Sequence, residues 1–275
     1  MSYATLMVHL EPGHSNKAVL DVAARLASRF KARAIGIAAC QPLPVVYGDG
    51  VMSGELMVQY SDEMAAQILA AQADFVSALE THATALEWRS AQLVASVNDY
   101  VVTQARCADL IITGVATGDL FDSSHALSRS DLVLRAGRPV LVVPSGVVAP
   151  KLDWMLVGWT DSRESRRAVA DALPLLKTAA HVTVMELADN DGHSAAQAGV
   201  KDVVAWLVAH GVAAVGETPL ASDNVARQLD ALALEQGADL VVAGAWGHSR
   251  LREWVLGGVT RQLMHSADRC SLLSH

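Results

Sequence analysis

Ala238-Asp239-Leu240-Val241-Val242-Ala243-Gly244-Ala245-Trp246-Gly247 is the stretch on which the reading of this chain turns. Leu240 to Ala243 is an apolar run of the length a buried strand needs, and Gly244 closes it. Gly247 follows, then Gly257 and Gly258, which precede Val259, Leu263 and Met264 at helical spacing. Glycines thus stand at both edges of one loop, between a strand and a helix expected to begin near Gly258. Backbone without a Cβ can approach a bulky anion closely, and the free N–H groups at a helix start add partial positive charge. The order strand, glycine loop, helix predicts a phosphate cradle. A strand end and a helix break would account for any one of these glycines alone.

The stretch has a partner earlier in the chain. Ala108-Asp-Leu-Ile-Ile-Thr-Gly114 matches Ala238 to Gly244, and Ser15-Asn-Lys-Ala18-Val-Leu matches Ser165-Arg-Arg-Ala168-Val-Ala. Two copies are therefore expected, residues 1–146 and 152–275, joined by the Pro-rich linker Pro144 to Lys151. The first is about 20 residues longer between these landmarks, a surplus assigned to Gln41 to Gln67 as a loop running into a helix.

Each copy alternates strand and helix. In the first, strands are expected over Thr5 to Leu10, Ala34 to Ala39, Trp88 to Val94, Leu110 to Thr113 and Pro139 to Val143, with helices over Ser15 to Phe30, Ala65 to Leu86 and Ser96 to Arg106. In the second, strands cover Met155 to Gly158, Val182 to Leu187, Ala213 to Thr218, Leu240 to Ala243 and Ser271 to Leu273; helices cover Glu164 to Leu176, Ala195 to His210 and Asn224 to Gln236. Parallel strands with right-handed helical crossovers follow, giving an α/β fold of two tandem, doubly wound, parallel five-stranded sheets. Ligands of such sheets sit beyond the C-terminal ends of the strands, where the strand order switches. In the second copy those positions are Trp159, Thr160 and Asp161, then Leu187 and Ala188, then the glycine loop. Asp161 and Ser162 would serve equally as the cap of the helix that follows.

The spacing Gly-x2-Gly-x9-Gly at Gly244, Gly247 and Gly257 resembles the ATP-binding signature of the universal stress protein family. That resemblance spans nearly the whole chain and implies an adenine-nucleotide alpha-hydrolase-like fold, with the two copies packed about a pseudo-two-fold axis and their last strands paired, within the chain or across a homodimer. It also implies ATP, with or without Mg, as a regulatory ligand of a stress-response protein, with hydrolysis slow if it occurs; the cytoplasmic location expected for the chain rests instead on its N-terminus, which does not read as a signal peptide. The contacts it implies are Thr160, Asp161, Leu187, Gly244, Gly247, Gly257, Gly258, Val259 and Thr260. The family places Asp or Asn after its first strand, where this chain has Thr160, and Ser or Thr after the last glycine, where it has Gly258. The first copy departs further: Leu10 stands after its first strand, although Glu11 and Gly13 follow, Gly114 and Gly118 are spaced by three residues instead of two, and no glycine falls around Leu127 and Ser128, so its site is expected to be empty.

Composition narrows the alternatives. The chain has 275 residues, 52% of them apolar, and a net charge of -8, which argues against a nucleic-acid partner. Arg250, Arg252 and Arg261, with His248 and His265, nevertheless form a local basic run around the glycine loop. No apolar run reaches membrane-spanning length, and Met1 to Leu10 does not read as a signal peptide. Cys40, Cys107 and Cys270 fit neither a metal motif nor a disulfide framework and read as buried apolar residues. No phosphate loop ending in Lys, nucleophile elbow or zinc-protease motif is present, so no catalytic residue is assigned. An ATP-using enzyme with an unrecognised base and a nucleotide-free scaffold remain as alternatives.

Overall fold

The computed structural model describes residues 2–41, 54–92, 96–115, 127–147, 150–245, 253–264 and 268–275. The first half runs β1 (Thr5–His9), α1 (Lys17–Phe30), β2 (Arg33–Cys40), α2 (Gly54–Leu79), β3 (Leu86–Gln92), α3 (Val97–Gln104), β4 (Leu110–Gly114), α4 (Arg129–Arg135) and β5 (Val140–Val143). The second runs β6 (Trp154–Gly158), α5 (Arg163–Leu176), β7 (His181–Met185), α6 (His193–Ala209), β8 (Ala214–Glu217), α7 (Val225–Glu235), β9 (Leu240–Gly244), α8 (Glu253–Met264) and β10 (Cys270–Ser274).

All ten strands belong to one sheet, in the order β3-β2-β1-β4-β5-β10-β9-β6-β7-β8. Within each half every pairing is parallel, as strands joined by helices must be. Between the halves β5 and β10 pair antiparallel, with Leu141 opposite Leu272. The expected pairing of the two last strands is thus present within a single chain, and the two expected sheets are continuous. Val140 to Val143 and Cys270 to Leu273 are all buried, so neither strand could stand as an open edge in water.

Burial on both faces explains the apolar strands. Leu6, Val8, Val157 and Val242 point to the side covered by α1, α2, α5 and α6; Met7, Ile111, Leu156 and Val241 point to the side of α3, α4, α7 and α8. The first of these cores runs unbroken from one half into the other. Polar clips reinforce the junction: Tyr3 Oη donates to the Asp171 carbonyl at 2.6 Å, and Arg29 donates to the carbonyls of Lys151 and Leu152. The repeated Ala-Asp-Leu motif also finds its reason here. Asp109 accepts from Ala4 N and Thr5 N at 2.8 and 2.9 Å, and Asp239 from Asp153 N and Trp154 N at 3.1 and 3.3 Å. Each carboxylate pins the start of the neighbouring strand; neither is near the ligand end of the sheet.

Four sequence expectations shift. α2 starts at Gly54, not Ala65, so much of the surplus assigned to a loop is helix; residues 42–53 lie outside those described. The same helix stops at Leu79 instead of running to Leu86, because pairing with Ala34 draws Leu86 into β3, one case of a sheet partner overriding helical periodicity. α8 begins at Glu253, not near Gly258. Cys107 is exposed, accepting from Arg89 Nη1, whereas Cys40 and Cys270 are buried as expected.

Leu272 lies in the middle of the β5–β10 pairing with no exposure. Leu272→Ala is expected to cost about 2–5 kcal/mol in urea unfolding, with both halves lost in one transition because they share a core. Two separated transitions in the wild-type chain would contradict that coupling.

Candidate functional site

In each half the strand order reverses between the first and fourth strands, β1 and β4 in one, β6 and β9 in the other, so a crevice opens at their C-terminal ends. The second-half crevice lies between Thr160 and Gly244. Gly244 is sterically required: a Cβ there would stand 2.5 Å from Ser165 N and 2.6 Å from Glu164 C. The chain leaving β9 therefore passes directly against the first turn of α5. Ser162 caps that helix, its Oγ accepting from Ser165 N at 3.2 Å, and Thr160 Oγ1 lies 3.2 Å from Ser165 Oγ. Three hydroxyls are thereby gathered at a helix start beside a glycine. Capping falls to Ser162, while Asp161 is exposed and ion-paired with Arg166.

The other expected contacts divide. Leu187 follows β7, half-buried, packed on the α7–α8 side of the sheet. Gly247 lies outside the described residues, as do Arg250, Arg252, His248 and His265 of the basic run. Gly257, Gly258, Val259 and Thr260 all lie inside α8, so the helix start expected at Gly258 is displaced one turn or more toward the loop. Gly258 is not sterically required, since its added Cβ would meet only Ala226 Cβ at 3.8 Å, an ordinary contact. Thr260 is buried and Arg261 exposed.

Glu164 and Glu186 gave no ligand signal in the sequence, whereas Trp159 is one of the positions expected after the first strand. Glu164, 2% exposed, sits in the first turn of α5 with Oε1 accepting from Arg163 Nε at 2.6 Å. Glu186 follows β7; burial first, then the nearby Asp161 carboxylate, raises its carboxyl above the usual range. Trp159 is buried, and its Nε1 has no hydrogen-bond partner among the described residues.

The first-half crevice is differently furnished, and its register corrects the expected alignment. Leu6 pairs with Leu110 and Met155 with Leu240, the two equivalent leucines of the repeated motif, so Thr160 corresponds to Glu11 and Trp159 to Leu10. Leu10 is buried in the core, as Trp159 is. The first half therefore does place an acid after its first strand. Leu127 is buried and Ser128 caps α4, its Oγ accepting from Asp131 N. A cavity of about 20 Å³, lined in part by His9, Glu11, Asn16, Gly114 and Ser145, remains at the strand ends. Beside it Arg129, 7% exposed, donates from Nε to the Gly114 carbonyl at 2.7 Å and from Nη1 to the Leu127 carbonyl at 3.1 Å, with Nη2 3.6 Å from Glu11 Oε2.

His9 is fully enclosed in this region, with Nδ1 3.1 Å from Thr113 Oγ1. Burial, with Arg129 adding to it, lowers its imidazole from 6.5 to about 3. The folded chain thus refuses a proton that the unfolded chain accepts below about pH 6.5. Stability from this residue is full above that pH and is lost as the pH falls toward 3, at up to ~1.4 kcal/mol per pH unit. Urea unfolding at pH 6.5 and 5 should show wild type losing about 2 kcal/mol more than His9→Gln over that interval; equal losses would remove His9 as the cause.

Among the described residues no group of His, Cys, Asp and Glu is placed to hold a metal ion, and no helix is long and apolar enough to cross a membrane. No protein-family model matches the chain, and no curated protein matches its sequence. Solved structures do match its fold. A universal stress protein from Archaeoglobus fulgidus DSM 4304 superposes with a TM-score of 0.75 at 13% identity, covering 98% of this chain and 95% of that one. A candidate universal stress protein from Pseudomonas aeruginosa UCBPP-PA14 gives 0.63 at 14% identity, with 99% and 93% covered. A functionally unknown protein from Pseudomonas aeruginosa PAO1 gives 0.60 at 13%, with 99% and 92% covered. The fold is that of the universal stress proteins over essentially the full chain.

Proposed function

We propose that this chain is a tandem stress-response protein of the universal stress type, with domains at 1–146 and 152–275, that binds an adenine nucleotide as a regulatory ligand in its second half. The observation that carries this reading is Gly244. It stands at the switch point of the second half, where no side chain fits, and brings the end of β9 against the start of α5. The base and ribose would lie against Thr160 and Leu187, and the phosphates along the segment from Gly244 to Thr260, with Mg accompanying ATP if it is bound. Mg, where it accompanies ATP, would rest on the phosphates themselves, as this ion commonly does. The role is one of occupancy: a nucleotide held by backbone N–H groups at the end of the sheet would change the surface that rim offers a partner.

Glu164 favours a second reading. A carboxylate 2% exposed beside Gly244 repels a phosphate placed at that end of the loop, and a scaffold without nucleotide would tolerate it freely.

Calorimetric titration separates the two readings. ATP is expected to bind with one site per chain, and Gly247→Val or Gly257→Val is expected to weaken it by roughly tenfold or more, about 1.4 kcal/mol. Thermal stability should change less than affinity. Equal affinity in all three proteins would remove the glycine segment as the cradle, two equivalent sites would misassign the working half, and no binding by the wild type would leave the scaffold.

A further inference from the structure

The first-half crevice is furnished to receive a cation. Three oxygens converge on it: the Glu11 carboxylate after β1, the Gly114 carbonyl at the end of β4, and the Leu127 carbonyl ahead of α4. Glu11 is itself held in place, because Asn16 Oδ1 accepts from its backbone N–H at 2.9 Å and Asn16 Nδ2 donates to its carbonyl at 3.0 Å. A planar guanidinium, with donors on three nitrogens, matches acceptors spread in this way better than a point charge does. Such a group is already there, on Arg129.

Its burial is costly unless paired, since a guanidinium removed from water needs both counter-charge and hydrogen bonds. It obtains both from residues of the crevice. Nε and Nη1 are spent on the two carbonyls, and Nη2 faces the Glu11 carboxylate. His9, lying close by, is kept from adding a second positive charge by its own burial and by this guanidinium. The pattern is that of a bound ligand with its receptor, the ligand being attached to the first residue of α4.

We propose that the crevice of the first half is a guanidinium-binding site filled in cis, with Arg129 as its tethered ligand and Glu11, Gly114 and Leu127 as the receptor. The first half then excludes exogenous ligands because its own side chain outcompetes them at very high effective concentration. An anion is excluded twice, by occupancy and by Glu11. This assignment is independent of whether the second half binds nucleotide.

Removing the tether tests it. The full-length R129A protein is heated in the presence of methylguanidinium chloride at millimolar concentration, with sodium chloride at equal concentration as the reference. A ligand that binds only the folded state raises the unfolding midpoint by mass action. The midpoint of R129A is expected to rise saturably by at least about 2 °C over the salt reference. Wild type, whose site is filled, and the double variant E11Q/R129A, whose receptor has lost its charge, are expected to show no such rise. If R129A does not fold, guanidinium at the same concentrations is titrated against R129M, which keeps the apolar stem and vacates the head. A midpoint that follows the sodium chloride curve in R129A or R129M, or an equal rise in E11Q/R129A, would overturn the proposal and leave Arg129 as an ordinary structural ion pair.

Discussion

The antiparallel pairing of β5 with β10 is the constraint on which the molecule rests. Each half ends in a short strand buried on both faces, and a strand of that kind cannot be left with one row of backbone groups in water. Parallel pairing would require another crossover. Two strands arriving from separate five-stranded sheets satisfy each other head to tail, and the helices above them then share one core. The directions of the other strands follow: once the seam is antiparallel, everything in the second half runs opposite to the first.

Much of this was legible from a few residues. The pairs Asp109 and Asp239 and Gly114 and Gly244 announced the repeat, and alternation of apolar runs with helical periods announced the parallel sheet. Pairing of the last strands came from the family resemblance together with their apolar content. Boundaries failed where a partner elsewhere decided them. Nothing in Leu79 to Leu86 says that β2 will claim the last of these residues, and nothing before Gly54 says where a long helix begins. The start of α8 was misplaced because glycines were read as its cap, while the segment from Glu253 holds helical geometry despite them.

The site was less legible, and for a physical reason. Register decides which residue faces a crevice, and one inserted residue between strand and helix moves every assignment by one. Reading back from Ser15 and Ser165 put Leu10 at the position that strand pairing gives to Glu11. Arg129 carried no signal at all: an arginine after a capping serine looks like a solvated helix residue until the crevice closes around it. Glu164 is the same case in the other half, a first-turn acid by sequence and a nearly enclosed carboxylate in the fold.

Because the seam is antiparallel, the two crevices open on opposite rims of the sheet. A molecule bound between Thr160 and Gly244 would therefore sit at the rim opposite Glu11 and Arg129. The chain therefore has two unlike rims, one holding the buried Arg129–Glu11 pair and one holding the crevice between Thr160 and Gly244, which two identical subunits paired through the same strands could not have. The two rims are joined through the central strands β4, β5, β10 and β9 and through the core that runs unbroken from one half into the other.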